Sequence, residues 1–265
     1  MLRRRELIGS ALALGLLPAA ASRAQDVASF HRAAFDARTL PELLQALKLA
    51  APQPSPEVVL QGPELHEDGA VVPLNLSCSA PGVRQLLLCI DRNPSLLAAL
   101  FEPGAAVEPR FSTRVKMQQT STVRALAVLQ DGRVLQAARE VKITLGGCLG
   151  ASDIVVAERT VQPTLIRVQA APGGALVRAL MKHEMESGQR KDEAGRPIPA
   201  WHIQEVVARL NGQPVLQAQW GTSISKNPFL QFNLKGAKPG DSVALAWADN
   251  RGGRRSDEVT FAAAT

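Results

Sequence analysis

The chain contains no tyrosine, and aromatic residues make up only 4% of it. Its cores must therefore rest mainly on Val, Leu, Ile and Ala, and the 46% hydrophobic content is sufficient for two domains of ordinary size within 265 residues. No internal run is long and apolar enough to cross a bilayer. These absences favour a globular protein of two domains with no internal membrane span.

Motifs for enzyme chemistry are also missing. The four histidines have no metal-ligand spacing, and the zinc-protease pattern that starts at His183-Glu184 fails because Ser187 stands where the second histidine is needed. No serine sits in a hydrolase elbow, and Pro172-Gly173-Gly174 lacks the Gly-Lys pattern of a phosphate loop. Without an acid–base pair or a metal constellation, the sequence predicts a protein that is not an enzyme and holds no cofactor or metal.

The N-terminus has the features of an export signal. Arg3-Arg4-Arg5 precede an apolar stretch from Leu7 to Leu17, and small residues follow. A twin arginine at this position is typical of the bacterial twin-arginine route. We predict that residues 1–24 are a signal peptide cleaved after Ala21 or Ala24, and that the protein is periplasmic. Part of the formal net charge of +6 lies in this leader, so nucleic acid is not an expected partner.

After the leader, residues 25–55 predict a helical segment and a linker. Leu40, Leu43 and Leu47 recur at helical spacing, and Pro41 suits a helix start after Thr39. The proline-rich run at 51–56 ends the helix and favours a short linker.

From residue 56 onward the pattern is one of strands and turns. Apolar residues alternate through Val72–Cys78 and Phe111–Met117. Asp131-Gly132 and Asn211-Gly212 are strong hairpin turns, and Val243–Trp247 has the composition of a buried strand. Short strands separated by turn residues predict an all-β fold of two sandwiches of about 100 residues each.

The three cysteines differ in their surroundings. Cys78 and Cys89 lie in apolar runs, and a tight turn at Pro81-Gly82 would leave them about 13 Å apart, too far for a disulfide. A longer loop would allow the bond, and an oxidising compartment would favour it. Two free, buried thiols are the preferred interpretation, and the disulfide stays open.

Cys148 stands directly after the predicted strand Val141–Leu145. It is preceded by Gly146 and Gly147 and followed by Leu149 and Gly150, which together predict a flexible arm that presents the thiol. No Lys or His adjoins Cys148 in sequence, so an unperturbed thiol would be only a few per cent thiolate at neutral pH. This suits a carrier activated by partner enzymes, although spacing alone fits equally well a glycine turn that happens to hold a cysteine.

The residues around Cys148 resemble the SoxY family, and the second half of the chain resembles the SoxZ family. For SoxY the matching motifs are Asn93-Pro94, Phe111-Ser112-Thr113-Arg114-Val115-Lys116-Met117 and Val141-Lys142-Ile143-Thr144 before Gly146-Gly147-Cys148. For SoxZ they are Met185-Glu186-Ser187-Gly188, Arg190-Lys191-Asp192, Ile198-Pro199-Ala200, Gln219-Trp220-Gly221, Ser225-Lys226-Asn227-Pro228 and Ser256-Asp257-Glu258. The order of motifs predicts a SoxY–SoxZ fusion over nearly the whole chain from about Pro56.

The resemblance implies two immunoglobulin-like β-sandwich domains that pack on each other. It implies that Cys148 carries covalent sulfur intermediates of thiosulfate oxidation and presents them to partner enzymes. In the family a haem protein attaches thiosulfate oxidatively, a hydrolase removes sulfate, and a molybdenum–haem dehydrogenase oxidises the remaining sulfane. The expected organisation is given by ranges: signal peptide 1–24, helical segment and linker 25–55, SoxY-like sandwich 56–150, tether 151–162 and SoxZ-like sandwich 163–265.

Two departures from the family pattern bear on function. The cysteine arm of SoxY is a free C-terminus, whereas here it is internal, and Leu149 replaces the glycine expected after the cysteine. Fused carriers of this kind resemble a subgroup associated with quinoprotein dehydrogenases. The alternative function is therefore an accessory binding protein for a periplasmic quinoprotein dehydrogenase, in which Cys148 carries no cargo.

Overall fold

The computed structural model describes residues 30–146 and 162–263 of the chain. Two short helices come first, α1 (Arg32–Asp36) and α2 (Leu40–Leu47). Thr39 caps α2, because its Oγ1 accepts a hydrogen bond from the Glu42 N–H at 3.4 Å, and proline stands in the first turn. The helix start predicted after Thr39 is confirmed. In these two ranges no helix has both the length and the apolar character that crossing a membrane requires.

Strands make up most of the rest. The first group is β1 (Gln53–Pro54), β2 (Val58–Gln61), β3 (Leu65–Asp68), β4 (Val72–Cys78), β5 (Val83–Ile90), β6 (Leu97–Pro103), β7 (Val107–Val115), β8 (Ser121–Leu129) and β9 (Val134–Leu145). The second group is β10 (Leu165–Ala171), β11 (Gly174–Leu180), β12 (Ile203–Leu210), β13 (Gln213–Trp220), β14 (Phe229–Lys235), β15 (Ser242–Asp249) and β16 (Arg254–Thr260). We refer to these groups as the first sandwich and the second sandwich.

The predicted hairpin turns join their strands as expected. Asp131-Gly132 links β8 to β9, and Asn211-Gly212 links β12 to β13. Asn211 and Gly212 both have positive φ, 49° and 77°, which is the backbone geometry that Asn-Gly hairpins favour. The proline-rich run is more than a linker, because Gln53 and Pro54 form β1 and pair in parallel with β9.

Two sheets form the layers, and each contains strands from both sandwiches. The larger sheet has the order β1-β9-β8-β5-β6-β13-β12-β15-β16, with β3 also paired to β9. The smaller sheet has the order β10-β11-β14-β7-β4-β2. The fold is thus two immunoglobulin-like β-sandwiches with a small N-terminal helical segment, as the sequence predicted. Both layers run without a break across the boundary, which we refer to as the seam.

The seam joins equivalent strands. When β1 and β3 are set aside, each sandwich has seven strands, and β6 and β13 are the fourth of each while β7 and β14 are the fifth. β6 pairs with β13 and β7 with β14, both antiparallel. Outward from the seam, the order β6-β5-β8-β9 matches β13-β12-β15-β16 in the larger sheet, and β7-β4-β2 matches β14-β11-β10 in the smaller one. The two sandwiches are therefore related by a pseudo-twofold axis through the seam, the arrangement of an isologous dimer interface.

Aromatic side chains fill the core beneath the seam. Phe101 and Phe111 stack with ring centroids 4.5 Å apart, and both belong to the first sandwich. Phe232 of the second sandwich stands opposite Phe111 in the strand register, and Ala218 stands opposite Phe101. All four are buried. Burial of each phenylalanine contributes about 2 kcal/mol, so the seam combines backbone pairing with a continuous apolar core.

A second, smaller core lies on the outer face of the larger sheet. Phe35 and Leu43 of the helical segment pack there against Leu87, Leu97 and Leu126. The helices thus cover the first sandwich on its outer side and complete the burial of strands that face both ways.

We expect the two sandwiches to stay associated without a covalent link, because the seam buries two strand pairs and a shared core. A protease site introduced between residues 151 and 161 and then cleaved should yield fragments that co-elute in size-exclusion chromatography at micromolar concentration. Phe232→Ala should cost about 3–5 kcal/mol and release the fragments. Leu74→Ala, a fully buried control on β4 outside the seam, should lower stability but leave the fragments together. Separate elution of the parent fragments would contradict this account.

Candidate functional site

Cys148, Gly147, Leu149 and Gly150 lie outside the described residues, whereas Gly146 is described at the end of β9. The structure describes the residues on both sides of this segment, Gly146 and Gln162. In the smaller sheet the ends of β7 and β11 lie beside the beginnings of β14 and β10. β9 ends at the same extremity of the molecule. We refer to this extremity as the arm end. The chain therefore leaves toward Cys148 and returns at one end of the double sandwich.

The end of β9 is fixed by backbone contacts. Asp68 of β3 pairs with Leu145 in parallel, and the Gly69 N–H donates to the Leu145 carbonyl at 2.7 Å. The Gly69 carbonyl in turn accepts from the Met117 N–H at 2.7 Å. A side chain at Gly146 would overlap the carbonyl oxygen of Gln118. Glycine is thus required at this position by close approach of the backbone.

Replacing Gly146 by alanine should loosen this anchor. The added methyl group would displace the end of β9 from Gln118, and the Gly69–Leu145 hydrogen bond would weaken at a cost of about 1–3 kcal/mol in the free energy of unfolding. In hydrogen exchange we expect the Gly69 amide to lose protection at least tenfold, while amides of β15 keep theirs. Unchanged protection of Gly69 would show that the backbone at 146 is not confined.

Asn93 ties the arm end together. Its side-chain amide donates to the Lys116 carbonyl at 2.7 Å and to the Ser223 hydroxyl at 2.9 Å, and its oxygen accepts from the Gln118 N–H at 3.2 Å. The Lys116 ammonium donates to the Met185 carbonyl. Asn93, Lys116 and Met185 belong to three separate sequence motifs, and the fold brings them to one place across the seam. Gln118, which confines Gly146, is held by the same asparagine.

A buried polar cluster lies beside these contacts in the second sandwich. The His183 Nε2 is 3.4 Å from the Asp249 carboxylate, and the Trp201 ring N–H donates to the same oxygen at 2.8 Å. The His183 Nδ1 accepts from the Met185 N–H at 3.0 Å, so the ring proton belongs on Nε2. Burial lowers the pKa of His183 despite its neighbouring carboxylate.

Asp249 remains the charged member of this cluster. Burial alone would raise the pKa of its carboxyl, but hydrogen bonds from the Trp201 ring and from the N–H groups of Arg251 and Gly253 outweigh that effect and lower it. A neutral histidine and an ionised aspartate thus hold the long loop between β11 and β12 against the end of β15. Sequence reasoning missed this pairing, because the two residues are 66 positions apart.

The charged stretch from Glu184 to Glu193 is partly buried and makes internal contacts. Glu186 is only 8% exposed and binds the Arg190 guanidinium at 2.7 Å. Its backbone carbonyl also accepts from the Trp201 N–H at 2.9 Å. These contacts fold the stretch back on itself near Met185.

His202 is also buried, and among the residues that the structure describes its ring Nδ1 has no hydrogen-bond partner. Burial, followed by the nearby His183, Lys116 and Arg32, lowers the pKa of His202 to about 4. The imidazole is therefore neutral at pH 7.

The free energy of unfolding should decrease as the pH is lowered below about 6.5, because of His202. An unfolded histidine has a pKa of about 6.5, so between pH 6.5 and 4 the unfolded chain binds a proton that the folded chain does not. The contribution to the free energy of unfolding at pH 5 is a loss of about 2 kcal/mol relative to pH 7. His202→Asn should remove that part of the pH dependence in urea denaturation. His66→Asn, on β3 and away from this cluster, is the matched control and should follow the parent profile.

Cys78 and Cys89 are free and buried. The interpretation as two buried thiols is confirmed, but the hairpin assumed between them is wrong. β4 and β5 belong to different sheets, so residues 80–82 cross between layers. Cys78 lies on the smaller sheet and packs in the core between the sheets, whereas Cys89 lies on the larger sheet and packs beneath the helices. Burial raises the pKa of both thiols.

Among residues 30–146 and 162–263, no three His, Cys, Asp or Glu side chains are grouped so that they could hold a metal ion. The charged side chains of the arm end instead pair with one another or with backbone groups. The described part of this site therefore anchors the end of β9 and supplies paired charges beside it.

Comparison with protein families divides the chain in two. A family model described as sulfur oxidation protein SoxY matches residues 44–148, and one described as sulphur oxidation protein SoxZ matches residues 166–260. Together they span about three quarters of the chain, and the first match ends on Cys148.

Solved structures and curated proteins were compared as well. The sulfur carrier protein SoxY from Chlorobium limicola f thiosulfatophilum is 30% identical, covering 38% of this chain and 93% of that one with a TM-score of 0.35. A superoxide reductase (neelaredoxin) from Ignicoccus hospitalis is 17% identical, covering 32% and 79% with a TM-score of 0.29. A β-glycosidase from Bacteroides vulgatus is 9% identical, covering 83% and 26% with a TM-score of 0.26. A search of curated proteins gives no match.

Proposed function

We propose that this chain, which belongs to the SoxY and SoxZ families as a fusion of one domain of each, is a periplasmic covalent carrier whose cargo is attached to Cys148. These families are sulfur-oxidation carriers, and their proteins act with other Sox proteins. The cargo we assign is a sulfur group derived from thiosulfate or a related anion. The residues 1–24 would direct export before the carrier acts.

The anchoring of Gly146 is the observation that carries this proposal. Cys148 follows Gly146 by two residues, so covalent geometry keeps the two Cα atoms within about 7 Å of each other. Cys148 would therefore be presented close to the arm end. The contacts of Gly146 with Gln118, and of Gln118 with Asn93, support this proposal because they hold the residue at which the segment with Cys148 begins.

The other two cysteines are unsuited to the task. Both are buried, and their raised pKa values keep them as thiols at neutral pH, whereas the nucleophile in sulfur transfer is the thiolate. Cys148 is the thiol that remains for covalent attachment.

The chemistry requires partners. Joining the Cys148 thiolate to the sulfane sulfur of thiosulfate forms an S–S bond and releases two electrons, which a redox partner must accept. Hydrolysis of the product by water then releases sulfate and leaves a persulfide on Cys148, with no net oxidation. The carrier supplies the attachment point and its position, and the partner enzymes supply the oxidant and the activation.

The proposal predicts a sulfur adduct on one cysteine only. Protein isolated from cells that are oxidising thiosulfate should show the mass of a thiosulfonate or persulfide on the peptide containing Cys148. Cys148→Ser should abolish the adduct and the thiosulfate-dependent growth. Cys78→Ser, a matched change at a buried thiol, should preserve both. Free Cys148 in functioning cells, or unchanged growth of the Cys148→Ser strain, would instead favour an accessory binding protein for a quinoprotein dehydrogenase.

A further inference from the structure

A cleft of about 250 Å³ opens where the helical segment meets the seam. The helical segment, the loop between β5 and β6, and three segments of the second sandwich all contribute to it. Its polar lining includes Arg32, Arg38, Ser95, Gln189, His202 and Thr222. The volume exceeds that of a single water by a wide margin, since a water takes up about 30 Å³ of the liquid. The cleft therefore has room for a small polyatomic ion and its remaining hydration.

The cleft is built by contacts on both sides of the seam. The His31 N–H donates to the Gln219 side-chain oxygen at 2.8 Å, and the Ser95 hydroxyl donates to the Phe35 carbonyl at 2.6 Å. The Phe35 ring packs so closely on Gly221 that a side chain at that position would meet the ring. The first helix is thus fastened over the second sandwich, and neither sandwich alone forms this site.

The polar groups of the cleft are mostly hydrogen-bond donors. Within the part of the chain that the structure describes, the guanidinium groups of Arg32 and Arg38 make no hydrogen bond or ion pair. Asp36 is the one acidic residue among those that line the cleft. Among the lining residues two guanidinium groups face one carboxylate, while Glu42, just outside the lining, accepts from the Arg38 N–H at 2.8 Å and offsets part of the remaining charge. Each guanidinium presents a planar fork of donors that matches an oxyanion.

His202 gives an independent indication of the same charge preference. The residue is 8% exposed and lines the cleft, and no group in the described ranges binds its ring Nδ1. The cations Lys116 and Arg32 disfavour a proton on this ring, and Asp249 opposes them. Burial is the largest cause of the lowered pKa and disfavours a charge of either sign, whereas two cations against one carboxylate favour a bound anion.

We propose that this cleft binds a small sulfur oxyanion, with thiosulfate as the preferred ligand and sulfate as a weaker one. Arg32 and Arg38 would hold the sulfonate oxygens, and Thr222 and Gln189 would donate neutral hydrogen bonds. The choice of sulfur oxyanions rests on the proposed carrier function. The electrostatic argument for an anion does not.

The position of the cleft gives such binding a use. Pro94 and Ser95 of the cleft directly follow Asn93, which holds Gln118 against Gly146. The cleft thus lies at the arm end, on the same loop that anchors the exit of β9. An oxyanion held there would be kept close to the end of the molecule at which sulfur is transferred, which raises its effective concentration.

The test uses the chain without residues 1–24 and with Cys148→Ser, so that no covalent attachment at this cysteine contributes. Isothermal titration with thiosulfate, sulfate and phosphate at constant ionic strength measures affinity and stoichiometry. We expect one thiosulfate site, bound more tightly than phosphate. Arg32→Gln combined with Arg38→Gln should weaken thiosulfate binding at least tenfold with an unchanged circular dichroism spectrum.

Arg84→Gln is the matched control, because it removes one exposed arginine at the start of β5, whose other end leads into the loop with Asn93. Its affinity for thiosulfate should stay within twofold of the parent. Equal weakening by Arg84→Gln, or no weakening by the double variant, would overturn the assignment of the cleft. Tighter binding of phosphate than of thiosulfate would overturn the assignment to sulfur oxyanions. Because Cys148 is absent throughout, failure here leaves the carrier function standing, and binding here stands even if Cys148 carries no cargo.

Discussion

Strand pairing across the seam is the constraint on which the rest of the molecule depends. An unpaired sheet edge exposes a row of backbone N–H and C=O groups that invites association with other chains. In this protein β6 and β7 of the first sandwich would each present such an edge, and β13 and β14 of the second satisfy both. The apolar core beneath the two pairs then becomes continuous from one sandwich to the other.

The seam also determines what meets at the arm end. Antiparallel pairing turns the loops after β11 and β13 of the second sandwich toward the loop after β5 of the first. Asn93 contacts Ser223 for that reason, and Lys116 reaches Met185. The anchor of the cysteine segment and the arginine-lined cleft are thus products of one pairing. The helical segment completes the cleft by packing over the same boundary.

The local features of this fold could be predicted from the sequence, and the non-local ones could not. Thr39 and Pro41 predicted the start of α2, and Asn211-Gly212 predicted a hairpin, because capping and turn preferences depend on only a few neighbouring residues. Alternation predicted the strands but not their sheets. The distance between Cys78 and Cys89 was therefore considered for a tight turn or a longer loop at residues 80–82, whereas these residues cross between layers. The family resemblance supplied two packed sandwiches, but nothing in it indicated that their sheets would merge.

The polar residues of the arm end show the same division. Asn93 and Lys116 stood in motifs that carried the resemblance, yet their hydrogen bonds to Ser223 and Met185 join positions far apart in the chain. His183 and His202 were set aside because their spacing suits no metal, and their importance arises from burial and from partners such as Asp249. Sequence spacing reports on neighbours within an element, whereas these roles are assigned by tertiary contacts.

The pseudo-twofold relation of the two sandwiches has a consequence for assembly. A seam made of equivalent strands gives each half the backbone geometry to pair with a second copy of itself, since an isologous surface is complementary to its own kind. Separate chains would have to be sorted so that unlike halves meet. In a single chain the ratio of the halves is always one to one, and the correct partner is present at high effective concentration from the moment of synthesis. Fusion therefore acts as a sorting device, because every SoxY-like half is made together with the SoxZ-like half that completes the arm end.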